Sequence, residues 1–273
     1  MGSGIQSAEM QLKQWIDAED HQTLFIGVWG MAGVGKTSLL KIIYNAYREG
    51  NVFEVVIWIT VSQNYNILDL QSSIAVAINL ELGSSSNAAM RKMRISVWLK
   101  TKKFLLVLDD MWSPLQLEEV GIPLANDKGS RVVISTRSID VIRRMGANDY
   151  SIQIEPLSSD EGWQLFYSVA FKAGCAPRKN IEDIARKIAG KCKGLPLALK
   201  VVAAAMIGIT ARKEWDLALT HMKNVDPVFV TTYGGIQQDL YEPLKWSYDR
   251  LPDSNFKNCF LYCGTFVEDE NIH

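Results

Sequence analysis

The sequence has few cysteines, and their spacing excludes several classes of protein. Its four cysteines are scattered over 273 residues: Cys175, Cys192, Cys259 and Cys263. This usage disfavours a disulfide-stabilised secreted fold and predicts reduced thiols, buried as small apolar groups. Only the last two are close along the chain. Because no second Cys or His pair at ligand spacing accompanies them, we expect no zinc site.

Long apolar runs and net charge are also lacking. No segment reaches about 18 uninterrupted apolar residues, and the first residues have neither the basic nor the apolar region of a signal peptide. We therefore expect no transmembrane segment and a cytoplasmic location. The formal net charge is −1, from 29 basic and 30 acidic residues. Such a balance gives no reason to expect sequence-specific binding of nucleic acid.

The first 155 residues alternate between strand-like and helix-like patterns. The strand-like segments are apolar throughout, which is typical of parallel strands buried on both faces. They cover residues 23–29, 53–62, 104–110 and 130–137. Helical patterns between them cover residues 36–49, 67–82 and 88–101. The alternation predicts an α/β fold with a parallel sheet and helices on both faces.

Beyond a last strand-like segment at 150–157, the patterns are helical. They cover residues 158–174, 180–193, 196–208, 213–222 and 236–249, and a further helical unit begins at 256–266. Hydroxyl and acidic residues open the first of these helices, and Gly174 closes it. The second part of the chain is therefore predicted to be a helical bundle.

The segment GVWGMAGVGKTSLLK, residues 27–41, carries the sharpest motif. Gly30-x-x-x-x-Gly35-Lys36-Thr37 follows an apolar strand and begins a helix, as in a phosphate-binding loop. Glycines allow several backbone N–H groups to converge on one anion beside a helix N-terminus. Lys36 would contact the outer phosphates, Thr37 would bind Mg²⁺, and Ser38 would contact the α-phosphate. The predicted nucleotide ligands here are Gly30, Gly33, Val34, Gly35, Lys36, Thr37 and Ser38.

Two acidic residues end the next apolar strand, FLLVLDD. Asp109 lies where the carboxyl end of a parallel strand meets ligands, and we expect it to bind Mg²⁺, mostly through water. Asp110 is the candidate catalytic residue, because it could orient a hydrolytic water or accept its proton. Many P-loop ATPases carry the longer Glu there, so slow hydrolysis is expected. Arg137 ends a third strand-like segment, where an arginine by itself is more often a surface ion-pair partner than a phosphate ligand.

Seven segments in order resemble the NB-ARC domain of plant intracellular immune receptors (the NLR class), a STAND-class P-loop NTPase related to apoptotic protease-activating factors. They are GMAGVGKTS, FEVVIWITVS, KFLLVLDDMW, GSRVVISTRS, YSIQIEPLSSDEGWQLF, GLPLAL and CFLYCGTF. LDDMW and GLPLA are close to diagnostic of that family. The resemblance implies three subdomains: an α/β nucleotide-binding subdomain at 1–155, a helical one at 156–235, and the beginning of a winged-helix one at 236–273.

The resemblance also implies functions for particular residues. Arg137 would read the γ-phosphate, and Pro196, beside Leu197, would pack against the base and sugar of the nucleotide. The implied function is an ADP/ATP switch in plant defence and innate immunity. ADP would hold the resting state, ATP exchange would promote opening and homo-oligomerisation, and slow hydrolysis would reset the switch.

The resemblance further implies partners outside this chain. These are leucine-rich repeats and an N-terminal signalling domain of the same receptor, and a pathogen effector or guarded host protein. The family's Met-His-Asp block, which contacts the β-phosphate of ADP, is expected to lie beyond residue 273. Two alternatives stay open: a P-loop ATPase or kinase that turns over a separate substrate, and a helical interaction module with a vestigial nucleotide site.

Overall fold

Parallel strands and helices alternate along the first part of the chain, and helices alone follow. The computed structural model describes residues 3–19, 24–82, 87–124, 127–171, 179–222, 238–251 and 253–263. The chain divides into two compact units. The first contains Ser3–Gly30 and Lys36–Ile154, and the second contains Met31–Gly35 and the residues from Glu155 onward. The predicted fold class, a parallel α/β sheet followed by a helical region, is confirmed.

The first unit is built on a five-stranded sheet. Its strands are β1 (Leu24–Trp29), β2 (Val55–Thr60), β3 (Phe104–Met111), β4 (Arg131–Thr136) and β5 (Ser151–Gln153). All pairs are parallel, in the order β2-β3-β4-β1-β5. The register sets Trp29 beside Thr136 and Thr60 beside Asp109. The carboxyl ends of β1, β3 and β4 are therefore neighbours.

Helices of the first unit pack on a sheet that is buried on both faces. They are α1 (Ser3–Ile16), α2 (Lys36–Arg48), α3 (Ile67–Ala77), α4 (Ala88–Lys100) and α5 (Ile139–Arg144), with a short 3-10 helix at Leu117–Val120. All six residues of β4 and the first six of β3 are buried. Alternate strand residues such as Ile57, Leu106 and Ile134 join α3, α4 and α5 in one apolar core. The absence of polar alternation in these strands follows from this double coverage.

The second unit is helical. Its helices are α6 (Ser159–Ala170), α7 (Lys179–Lys191), α8 (Pro196–Ala205), α9 (Arg212–His221), α10 (Gln238–Asp249) and α11 (Ser254–Cys263). Ser158 and Glu161 form a capping box at the start of α6, which satisfies backbone N–H groups of its first turn. Pro196 occupies the first turn of α8, where its missing N–H costs no helical hydrogen bond.

Several sequence-based expectations need correction. The third helix ends at Ala77 instead of residue 82, because Asn79 adopts a left-handed conformation (φ 53°) that a helix cannot continue. The prediction of buried thiols holds for Cys192 but is wrong for Cys259 and Cys263, since they lie on α11, which has no buried residue among those described. Helix α1 was not predicted at all.

Some predictions fall outside the described residues. These include Gly174, Cys175 and the end of the CFLYCGTF segment, together with residues 223–237. The assignment of 236–273 to a winged-helix subdomain, and the other two subdomain assignments, stay predictions. Across the part of the chain that the structure describes, every helix is too short or too polar to cross a lipid bilayer.

Candidate nucleotide-binding site

The glycine-rich loop joins the end of β1 to the start of α2. Gly33 and Gly35 have φ angles of 74° and 111°, in the region that side chains rarely adopt. Between them Val34 is buried, and its N–H donates to the carbonyl oxygen of Met31 at 3.4 Å. These φ angles explain why the sequence has glycines at the two positions. The loop continues directly into the N-terminus of the 13-residue helix α2.

Lys36 is the first residue of α2 and is buried, with 7% of its surface exposed. Its ammonium donates to the carbonyl oxygen of Gly30 at 2.9 Å. Burial is the main influence on its pKa and lowers it, while the negative charges of Asp110 and Asp109 raise it and the positive charge of Arg137 lowers it. The ammonium therefore lies within the electrostatic reach of the three charged residues that the sequence singled out at the strand ends.

Asp109 is a buried carboxylate held by two hydroxyl groups. Its Oδ1 accepts a hydrogen bond from Thr37 Oγ1 at 3.2 Å and another from Ser135 Oγ at 2.5 Å. The same Ser135 oxygen accepts from the backbone N–H of Asp110 at 2.9 Å. The side chain of Asp109 is thus oriented from α2 on one side and from β4 on the other.

The donor set at this point fits Mg²⁺. Thr37 supplies a hydroxyl oxygen and Asp109 a carboxylate oxygen, and Mg²⁺ prefers such hard oxygen ligands. Among the described residues, no group of three or more His, Cys, Asp or Glu side chains could hold a metal ion. One or two protein ligands with water and phosphate completing the shell is the usual arrangement for Mg²⁺ in nucleotide sites.

Asp110 and Arg137 form an ion pair beside Asp109. Arg137 donates from one guanidinium nitrogen to Asp110 Oδ2 at 3.2 Å, and its guanidinium carbon lies 4.2 Å from the ring centre of Trp112. Asp110 has a φ of 55°, which is uncommon for a residue other than glycine, and the pairing of β3 with β4 is irregular between Leu108 and Met111. Strained backbone of this kind is concentrated at functional sites.

The remaining predicted ligands lie at two helix starts. Ser38 is exposed on the first turn of α2. Pro196 is half-buried in the first turn of α8, and the side chain of Leu197 is exposed. Within the second unit, the N–H of Leu197 donates to the carbonyl oxygen of Gly33 at 3.2 Å. The loop and the GLPL segment are therefore in direct contact through their backbones.

In the first unit, the structure brings together Lys36, Thr37, Asp109, Asp110 and Arg137. Sequence reasoning missed Ser135, which links Asp109 to Asp110, and Trp112, which contacts Arg137. Their positions in the sequence could have identified both residues. Ser135 lies at the polar end of the same strand-like segment as Arg137, and Trp112 follows the acidic pair by two residues.

Comparison with known proteins shows the family of this chain. A model of the NB-ARC domain matches residues 5–175, which is more than half of the chain. The chain belongs to the NB-ARC family. The P-loop fold of this NB-ARC chain implies nucleotide binding. Its resemblance to the family, stated above from seven sequence segments, is thereby confirmed.

Relatives of this NB-ARC chain are resistance proteins of Arabidopsis thaliana. Disease resistance protein UNI is 36% identical over 98% of the chain and 30% of its own length. Disease resistance protein RPS5 is 35% identical over 94% of the chain and 29% of its own length. The chain thus spans less than a third of the length of these relatives.

Among solved structures, Cdc6p from Pyrobaculum aerophilum resembles the chain with a TM-score of 0.56 and 19% identity. The match covers 72% of this chain and 58% of that one. This likeness concerns the fold alone.

Proposed function

We propose that this chain binds ADP and ATP with Mg²⁺ and is the nucleotide-operated switch of a plant disease-resistance protein. The observation that carries the proposal is the meeting of Lys36, Thr37, Asp109, Asp110 and Arg137 within the first unit. A cation, a hydroxyl, two carboxylates and a second cation are the groups that phosphate recognition with a divalent ion requires.

Each group has a distinct role in the proposed complex. The loop residues Gly30, Gly33, Val34 and Gly35 present backbone N–H groups to the phosphates. Lys36 bridges the outer phosphates, and Ser38 contacts the α-phosphate. Thr37 and Asp109 hold Mg²⁺, which neutralises phosphate charge when bound. The hydrogen bonds from Thr37 and Ser135 keep the Asp109 carboxylate oriented toward that task.

The switch depends on contacts that differ between ADP and ATP. Pro196 and Leu197 pack on the base and sugar, and the backbone hydrogen bond between Leu197 and Gly33 supports a link between that segment and the loop. ATP adds a γ-phosphate that Arg137 can recognise, so the two nucleotides stabilise different states. ADP maintains the resting state, and ATP promotes opening and homo-oligomerisation of the cytoplasmic receptor.

The proposed partners lie outside this chain. They are the leucine-rich repeats and N-terminal signalling domain of the receptor, together with a pathogen effector or a guarded host protein.

Hydrolysis is slow in this proposal and serves to reset the switch. Asp110 orients the attacking water or accepts its proton. Its carboxylate is short, and an ion pair with Arg137 already occupies it. These features favour a switch over an enzyme that turns over a separate substrate.

Replacement of Lys36 tests the nucleotide site. Lys36→Arg is expected to weaken ADP binding about tenfold or more, because a charged hydrogen bond contributes about 1.5–3 kcal/mol. The planar guanidinium cannot take the place of a buried ammonium that sits 2.9 Å from the Gly30 oxygen. Isothermal titration calorimetry with ADP and Mg²⁺ measures the change.

Lys41→Arg is the matched control, since Lys41 is exposed on the same helix α2. It should bind ADP as the unmodified protein does. Equal affinities of the Lys36 and Lys41 variants would refute the assignment of the site.

A further inference from the structure

Trp112 contacts Arg137 on a different surface from the one that Asp110 uses. The guanidinium carbon lies 4.2 Å from the indole ring centre, and a guanidinium nitrogen donates to Asp110 Oδ2 at 3.2 Å. A guanidinium can stack on an aromatic ring through its face while its edge donates hydrogen bonds. Together the two contacts favour the orientation of Arg137 in which it pairs with Asp110.

The partner of Arg137 is itself fixed in place. The N–H of Asp110 donates to Ser135 Oγ, and the residue adopts a left-handed backbone conformation (φ 55°). The backbone that carries the Asp110 carboxylate is thus held where the carboxylate can accept from Arg137. A phosphate group that needs the same N–H donors would therefore compete with Asp110 for them.

All three side chains are accessible to solvent. Side-chain exposure is 38% for Arg137 and 26% for Asp110, and Trp112 is 37% exposed. An ion pair this exposed is weak when it stands alone, whereas stacking on an indole adds a second, independent attraction. The ring is therefore the part of the arrangement that a substitution can remove without disturbing the carboxylate.

We propose that Trp112 is a positioning residue that holds Arg137 on Asp110 as a latch, which ATP must open and ADP need not. This inference rests on the proposed function, in which Arg137 contacts the γ-phosphate. In the closed latch the Asp110 carboxylate is paired with Arg137. It becomes available for its role in hydrolysis only when Arg137 moves to the phosphate. The latch lowers the affinity for ATP relative to ADP.

The test compares the affinities for ADP and for the slowly hydrolysed analogue ATPγS, both with Mg²⁺, by calorimetry. Trp112→Leu is expected to tighten ATPγS binding about fivefold, which is the loss of a cation–π contact of about 1 kcal/mol. Its ADP affinity should stay within about twofold of the original. Trp112→Gln, a second variant without a ring, should show the same changes in the two affinities as Trp112→Leu. Trp112→Tyr keeps a ring and should have the ratio of ATPγS to ADP affinity of the unmodified protein.

Arg137→Gln separates the latch from a structural role of the tryptophan. In that background Trp112→Leu should no longer change the ratio of the two affinities, because the group that the ring holds is gone. Three results for the single Trp112 variants would overturn the latch: an unchanged ratio of the ATPγS and ADP affinities, a change of that ratio in favour of ADP, or an equal loss of affinity for both nucleotides. Each of these results would leave the proposal that the protein binds ADP intact. If the unmodified protein bound neither nucleotide, the proposed function would fail and the latch with it.

Discussion

Gly194 occupies a backbone position that a side chain cannot enter without strain. Its φ is 70°, and a Cβ atom built there would lie 2.2 Å from the carbonyl oxygen of Leu157. The two residues are also joined by a hydrogen bond from the Leu157 N–H to the Gly194 oxygen at 2.9 Å. The start of the GLPL segment therefore passes against the chain just before α6, and only glycine permits that approach.

Gly194→Ala is expected to lower the free energy of unfolding by about 3 kcal/mol, from left-handed strain and the clash with backbone. Gly190→Ala is the control, because Gly190 is exposed in α7 and nothing lies within 4 Å of its built Cβ. That variant should be neutral or more stable by up to about 1 kcal/mol. Urea unfolding of both variants measures the difference. Equal stabilities would contradict the assigned close approach.

Cys192 is chemically protected by its surroundings. It is fully buried, and burial raises the pKa of its thiol to about 12. The thiolate is the reactive form, so in the folded protein Cys192 should stay unreactive from pH 7 to 9.5, while a thiol with its usual pKa gains reactivity across that range. The exposed Cys259 and Cys263 should react with iodoacetamide.

Peptide mass spectrometry after timed alkylation measures the reactivity of each cysteine. The same treatment in denaturant is the control, and Cys192 should then be alkylated as readily as Cys259 and Cys263. Rapid labelling of Cys192 in the folded protein would disprove its burial.

At this scale the sequence predicts the chemistry of side chains better than their backbone. Lys36, Thr37 and Asp109 were identifiable because a motif and a strand end fix their positions. The left-handed conformation of Asp110 was not, since it arises from the irregular pairing of β3 with β4 and from a hydrogen bond to Ser135, 25 residues away.

At the scale of elements, helix α1 is attached to the sheet by one buried cation. Arg131 is 1% exposed at the start of β4, and its guanidinium donates to the carbonyl oxygens of Ile16 and Ala18 at 3.1 and 2.5 Å. The Ile16 carbonyl ends α1 and the Ala18 carbonyl lies two residues beyond it, where helical partners are missing and the helix dipole favours positive charge.

Arg131→Met is expected to release the end of α1 and to destabilise the protein by about 3 kcal/mol, as hydrogen bonds to a charged group are lost. Hydrogen exchange should accelerate most in the amides of Ser3–Ile16. Arg143→Met is the control, because the side chain of Arg143 is 64% exposed on α5. Unchanged protection of α1 in the Arg131 variant would show that the helix is held by apolar contacts alone.

The apolar contacts of α1 also show why it escaped prediction. Ala8, Leu12 and Ile16 recur every fourth residue and are buried, but the segment around them is largely polar. Three apolar residues at helical spacing are a weak signal in so short a segment, and only packing against the rest of the first unit makes the helix stable. By contrast, α2 and α4 were predicted to within one residue at each end, since motif and capping residues mark their limits.

At the scale of the whole molecule, the sequence predicts the class of fold but not the order of the strands. Apolar runs identified β1 to β4, and their lack of alternation indicated a parallel sheet. Nothing local placed β4 between β1 and β3, because pairing partners are set by contacts between distant segments. That placement is what brings Ser135 and Arg137 to the acidic pair.

The two outer strands of the sheet differ in their tendency to pair with strands of other molecules. β5 has three residues, while β2 has six, and both have a strand partner on one side only among the described residues. The sequence of β2, VVIWIT, has no charge and no proline, which suits it to add strands from other molecules. Aggregation of heated or partly unfolded copies should therefore nucleate along Val55–Thr60.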